Sequence, residues 1–128
     1  VQICNTNGHD PRLGDKVVYA YLFPNLFINR YGNMMDVNIV EPISVDKCRV
    51  IFDFYFDFEA NEWDARKKMR QEIAASHSIQ QEDIAICEST QKGMNSMSWK
   101  HGRYSSILEG ACYAFHSLLW HDLRGATR

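Results

Sequence analysis

Asp83 is the residue whose position most demands a chemical explanation. Read at the helical period, Ile79, Asp83, Ile86, Cys87 and Thr90 fall on one stripe, with the carboxylate near its centre. Burying an ionised carboxylate costs several kcal/mol unless a cation, a metal or hydrogen-bond donors offset it, so Asp83 needs a partner. Two readings stand side by side. In one, Asp83 is salt-bridged to Arg30, Arg49 or Arg103, or caps a helix. In the other, it is a metal ligand or a base in a pocket between helix and sheet, where perturbed carboxylates mark functional sites. Glu88 lies nearly opposite on the helix and reads as solvated.

Other reactive types lack supporting patterns. His9, His77, His101, His116 and His121 are read as surface or hydrogen-bonded residues; His116 and His121 are separated by about 140° on a helix and cannot chelate one metal from one face. Cys4, Cys48, Cys87 and Cys112 form no Cys-x-x-Cys or Cys-x-His pair, which excludes a local zinc knuckle or iron–sulfur site. Their apolar settings predict buried, reduced thiols. No Gly-x-Ser-x-Gly elbow and no phosphate-cradling glycine loop is present.

The elements that must position Asp83 change period along the chain. Residues 1–16, rich in Asn, Asp, Gly and Pro, predict a loop. Strands are predicted over 17–23 and 25–31, with Pro24 at the bend between them, and over 34–41 after the turn Gly32-Asn33. In that last strand Met35, Val37 and Ile39 alternate with Asp36 and Asn38. A turn is predicted over 42–46. Cys48, Val50, Phe52, Phe54, Phe56 and Phe58 then share one strand face, with Arg49, Ile51, Asp53, Tyr55 and Asp57 on the other. The Phe residues read as core; Tyr19, Tyr21, Phe27 and Tyr31 read as core or pocket lining.

From Glu62 the period becomes helical, running to about His77 and followed by or merging with the Asp83 helix, which Gly93 can cap. Residues 94–106 read as a loop. The last helix, about 107–123, carries Ile107, Leu108, Ala111, Cys112, Phe115, Leu118 and Leu119 on one face. Strands first and helices afterwards predict an α+β fold, an antiparallel sheet with helices packed on one face.

Composition narrows the function classes. The 128 residues suit one domain, and 14 Lys+Arg against 16 Asp+Glu, with no basic run, argue against a nucleic-acid partner. No apolar run approaches membrane-spanning length and no signal peptide is visible, which predicts a cytoplasmic protein or one of an organelle stroma or matrix. The start at Val1 without Met and the end just after a helix suggest a piece of something larger.

The stretch Asp15-Lys16-Val17-Val18-Tyr19-Ala20-Tyr21-Leu22-Phe23-Pro24-Asn25-Leu26-Phe27-Ile28-Asn29-Arg30-Tyr31-Gly32, followed by Met35-Asp36-Val37-Asn38, resembles the catalytic domain of Rieske-type non-haem iron oxygenase α subunits, the ring-hydroxylating oxygenase family. Gln81-x-Asp83, Cys87-Glu88-Ser89-x-Gln91-x-Gly93, Gly102-Arg103-Tyr104 and Ala114-Phe115-His116-x-Leu118-Leu119 recur there in the same order. The likeness covers nearly the whole chain. It is closest to the choline monooxygenase branch of quaternary-amine oxygenases.

The resemblance implies a helix-grip, START-like catalytic fold, of which residues 1–128 would be the C-terminal part. It also implies that Asp83 is the carboxylate of a 2-His-1-carboxylate Fe(II) site with open positions for O₂. Glu82 would orient that ligand from behind, and Tyr21, Asn25, Phe27, Asn29 and Tyr31 would line the substrate pocket, alternate residues of a strand sharing a face. The implied partners are O₂, a reductase or ferredoxin, a Rieske [2Fe–2S] cluster, a choline-like or aromatic substrate, and two further copies in a homotrimer. The His-x₄-His iron ligands and the cluster motifs of the family have no counterpart here and are expected upstream. The rival readings are a ring-hydroxylating dioxygenase acting on an aromatic substrate and a non-catalytic helix-grip module that carries a hydrophobic ligand.

Overall fold

The computed structural model describes residues 1–6, 12–57 and 63–125. Two compact units divide the chain, Val1–Met94 and 95–128, and each is described by itself.

In the first unit five strands pair in chain order into one antiparallel sheet: β1 (Gln2–Asn5), β2 (Lys16–Leu22), β3 (Leu26–Tyr31), β4 (Met34–Ser44) and β5 (Lys47–Phe56). Each connection between β2 and β5 is a short turn, as expected of an antiparallel meander. Pro24 sits in the β2–β3 turn behind a cis peptide bond from Phe23. Gly32 takes φ +51 in the β3–β4 turn, which suits glycine at the first central position of a two-residue hairpin loop. The helix α1 (Trp63–Met94) follows, 32 residues and so about 48 Å long. The second unit carries α2 (Gly110–Gly125). This is the expected α+β order, strands first and helices afterwards.

Several boundaries differ from expectation. The 1–16 loop contains β1, whose residues 2–5 pair with Lys16–Tyr19 of β2; its four residues are too few and too exposed to leave an alternating signature. Residues 7–11, with His9 and Pro11, lie outside the described residues, as do Phe58 and Glu62. The turn expected over 42–46 is shorter, because β4 runs through Pro42 to Ser44. Its pairing with β5 shifts register between Pro42 and Ser44, and β3 pairs with β4 only as far as Ile39, so the missing Pro42 N–H interrupts no ladder with β3. The helix is continuous past His77, and Gly93 lies inside its last turn instead of capping it. The last helix begins at Gly110, and Ile107 and Leu108 stand exposed in the turn before it. There Ser105 N–H donates to Glu109 Oε2 at 2.6 Å, and Leu108 N–H to Ser105 Oγ at 3.3 Å.

The thiols are free, but they are not the buried set expected: Cys4 is half-buried, and Cys48, Cys87 and Cys112 are exposed. Cys48 lies in the exposed first half of β5, and Cys87 in the exposed second half of α1.

Candidate functional site

Strand register decides which side chains meet. Tyr19 lies opposite Asn29, Tyr21 opposite Phe27, Asn29 opposite Asp36, Phe27 opposite Asn38, Asp36 opposite Phe54, and Asn38 opposite Phe52. Directly opposed residues project to the same side of a sheet. One face therefore gathers Tyr19, Tyr21, Phe27, Asn29, Tyr31, Asp36, Asn38, Phe52, Phe54 and Phe56, and the other carries Ile28, Met35, Val37, Ile39 and Ile51. The sheet brings the expected pocket residues Tyr21, Phe27, Asn29 and Tyr31 onto one surface.

The centre of that surface is polar. Asp36 is 2% exposed, more deeply buried than any other described residue, and Asn38 is 9% exposed. A half-polar strand normally turns its polar side to water; β4 turns Asp36 and Asn38 inward. The carboxylate is compensated by donors, as its burial requires. Asn29 Nδ2 donates to Asp36 Oδ1 at 2.9 Å, and the Tyr31 hydroxyl donates to Asp36 Oδ2. Burial first, then this hydrogen bond and the negative charge of Asp36, push the Tyr31 phenol well above its ordinary value. Asn38 Oδ1 is buried without a hydrogen-bond partner among the described residues.

Around this centre the rings are ordered. Tyr21 and Phe27 stand with centroids 4.8 Å apart, Tyr21 donating to Pro24 O at 2.8 Å. Asn25 clasps β4: its Nδ2 donates to Val40 O at 3.0 Å, and its carbonyl accepts from Val40 N–H at 3.0 Å. The Arg12 guanidinium lies 5.7 Å from the centroid of the Tyr31 ring. Arg12 Nε is also 3.9 Å from Glu72 Oε2 on α1, which joins the helix to this face.

Asp83 lies eleven residues beyond Glu72 on α1. Residues 81–90 are all exposed, so the expected burial of the Asp83 stripe is not what the structure has. The reason is geometric: the half-buried positions Ala65, Met69, Glu72, Ala75, Ser76 and Gln80 end just past the middle of a helix about 48 Å long, and beyond them only Gln91 is half-buried. Asp83 nevertheless continues their stripe, since eleven steps of 100° return to within about 20° of Glu72. Among the described residues of its own unit it makes no ion pair or hydrogen bond, so the pairing with Arg30 or Arg49 is not formed. Glu82 is exposed beside it.

As a metal ligand Asp83 fits in one respect, offering an accessible hard oxygen donor. No group of three metal-ligating side chains is assembled among the described residues. In the second unit, Tyr104 from the Gly102-Arg103-Tyr104 motif shares a 2.6 Å hydrogen bond with Nδ1 of His116 on α2, and its ring packs edge-on to Tyr113.

Sequence reasoning missed the Asp36 centre, although a signal was present. A two-residue loop at Gly32-Asn33 fixes Asn29 opposite Asp36, so the pairing was readable. Which face was buried was not, because both faces of β4 carry mixed polarity.

Comparison with known proteins gives a consistent picture. Residues 5–121 match the ring hydroxylating alpha subunit family (catalytic domain). Choline monooxygenase, chloroplastic, of Arabidopsis thaliana is 39% identical over 113 residues, covering 88% of this chain and 26% of that protein. The protein of the same name from Atriplex hortensis is 32% identical over 120 residues, 94% of this chain and 27% of its own, and that of Spinacia oleracea 31% over 113 residues, 88% and 25%. The chain thus spans about a quarter of the length of these relatives. No solved structure matches.

Proposed function

The chain belongs to the ring-hydroxylating oxygenase α-subunit family, as part of a Rieske oxygenase catalytic domain, and from this premise we propose that it contributes one iron ligand and a substrate-pocket wall to a monooxygenase of choline or a related quaternary amine. The observation that carries the reading is the aromatic sheet face. Tyr21 and Phe27 are paired on it, and Phe27 and Tyr19 are partly open to solvent. A methylated ammonium group carries no N–H donor, so it is held by ring faces, at about 0.5–2 kcal/mol per ring. An aromatic substrate would use the same rings by stacking, but the relatives named choline monooxygenase favour the cation.

Within this reading Asp83 holds the metal, and Glu82 orients it from the adjacent position. Fe(II) bound there would supply O₂ activation with electrons passed from a reductase or ferredoxin through a Rieske [2Fe–2S] cluster. The remaining ligands and the cluster come from the rest of the polypeptide. Asn25 and Asn29 fix the wall: Asn25 ties the β2–β3 turn to β4, and Asn29 compensates Asp36. Tyr31 has its hydroxyl committed to Asp36 and Arg12 beside its ring, so its part in the wall is to hold the surface in shape. The relatives are named chloroplastic; with them an organelle stroma is the location proposed, and a homotrimer the assembly. No helix among the described residues is long and apolar enough to cross a membrane.

Two measurements on the intact protein test the reading. Oxygen uptake over a substrate panel should be coupled to choline or another methylated amine. Coupled turnover of a neutral aromatic ring, with none of choline, betaine or carnitine, would reject the substrate and leave the family intact. Asp83→Ala should abolish turnover and iron retention while the visible absorption of the cluster persists. Near-normal iron and activity in that variant would reject Asp83 as ligand.

A further inference from the structure

Glu72 is a carboxylate that the reading above does not use, and it is placed where a charge is costly. Its Oε2 is buried without a hydrogen bond among the described residues, and its ion-pair partner Arg12 stands at 3.9 Å, longer than a direct bond. Arg12 lies in turn beside the Tyr31 ring, and the Tyr31 hydroxyl donates to buried Asp36. A continuous polar chain therefore runs from the middle of the sheet to α1. We propose that the chain Asp36, Tyr31, Arg12 and Glu72 sets the rotation of α1 about its axis and so aims Asp83, with Glu72 the positioning residue.

The other contacts along the half-buried stripe come from Ala65, Met69, Ala75, Ser76 and Gln80, small or flexible side chains. Packing by such side chains, with no charged group among them, is non-directional and resists rotation poorly. The Arg12–Glu72 ion pair is the charged contact on this stripe, and it acts at one azimuth. Glu72 and Asp83 share that azimuth to within about 20°, roughly 16 Å apart along the axis. A carboxylate carried about 5 Å from the axis moves about 2 Å when the helix turns by 20°. Metal ligation tolerates about 0.2 Å, so a modest loss of azimuth is enough to spoil the ligand.

The inference rests on Asp83 being the iron ligand, and the test separates the two. In the intact protein, Glu72→Gln keeps the shape and removes the charge. It should lower iron affinity about tenfold, the lower end of the effect for groups that orient metal ligands. It should also shift the electron paramagnetic resonance line shape of the ferrous site treated with nitric oxide. Arg12→Gln should do the same, and the double variant should be no worse than either single one, as expected of one coupled pair. Glu88→Ala, on the opposite side of α1, should change neither readout. Should Glu72→Gln not accumulate as folded protein by circular dichroism, Glu72→Asp, which draws the charge back by one methylene, carries the same expected shift. Wild-type affinity and line shape in the Glu72 variant, or additive losses in the double variant, would overturn the proposal. With iron lost in Asp83→Ala, that result rejects the positioning role alone; iron retained in Asp83→Ala rejects the ligand reading beneath it.

Discussion

Asp36 and Asp83 show how differently one side-chain type is treated in this molecule. Asp36 is sealed into the sheet and held by Asn29 and Tyr31; Asp83 is open and without a partner among the described residues. A buried carboxylate losing one donor is left partly unsatisfied, at a cost of about 1–3 kcal/mol. Tyr31→Phe should therefore lower stability by about that amount in denaturant titration near neutral pH. The same pair gives a pH signature. The Tyr31 phenol is raised above its ordinary value of 10.0, so the folded protein binds that proton more tightly than the unfolded chain does. Its contribution is complete below pH 10 and is lost as pH climbs past that value toward the raised one. Stability measured at roughly pH 9 and pH 11 should fall more steeply in the wild type than in Tyr31→Phe. Equal slopes would mean that another group governs alkaline unfolding.

At the scale of elements, the β3–β4 turn holds the polar chain in register. Gly32 has φ +51, and a Cβ there would stand 2.7 Å from the carbonyl oxygen of Arg12. The Gly32 N–H donates to Leu13 O at 2.9 Å, so the two segments cannot part without breaking that bond. Gly32→Ala should cost about 1–3 kcal/mol from left-handed strain, with the displaced Arg12 backbone adding to it. Gly93, in the last turn of α1 with nothing within 4 Å of the place a methyl group would take, should behave oppositely. Gly93→Ala should be neutral or stabilising, by up to about 1 kcal/mol. Thermal melts of the two variants decide both. The hairpins were legible in the sequence because turn residues and alternation agree there: Pro24, Gly32-Asn33 and the Phe52, Phe54, Phe56 series each mark one. What was not legible was burial. The Ile79, Asp83, Ile86 stripe has a helical period, but periodicity reports only that a face is distinct. Whether that face is covered depends on where the sheet stops relative to a 32-residue helix. The same limit hid Asp36, since alternation in β4 points its polar side to water, whereas the structure turns Asp36 and Asn38 inward.

For the whole molecule, the decisive quantity is how many iron ligands one polypeptide segment can bring together. A facial site needs three, and its apparent affinity depends on having them assembled. In the proposed site this chain supplies Asp83, and the histidine nearest to it on α1, His77, is six residues away, about 120° around the helix. His116 is engaged with Tyr104 in the other unit. The chain also spans about a quarter of the length of its relatives. A single carboxylate holds Fe(II) only weakly, because each further ligand is what makes release of the ion slow. The isolated 128-residue chain, purified and loaded anaerobically with Fe(II), should therefore retain no stoichiometric iron after gel filtration and hydroxylate no substrate, while the intact protein retains iron under the same treatment. Metal analysis of both samples is sufficient. Stoichiometric iron on the short chain would place a full ligand set within these residues, and Asp83 would have to be joined by histidines of this same segment.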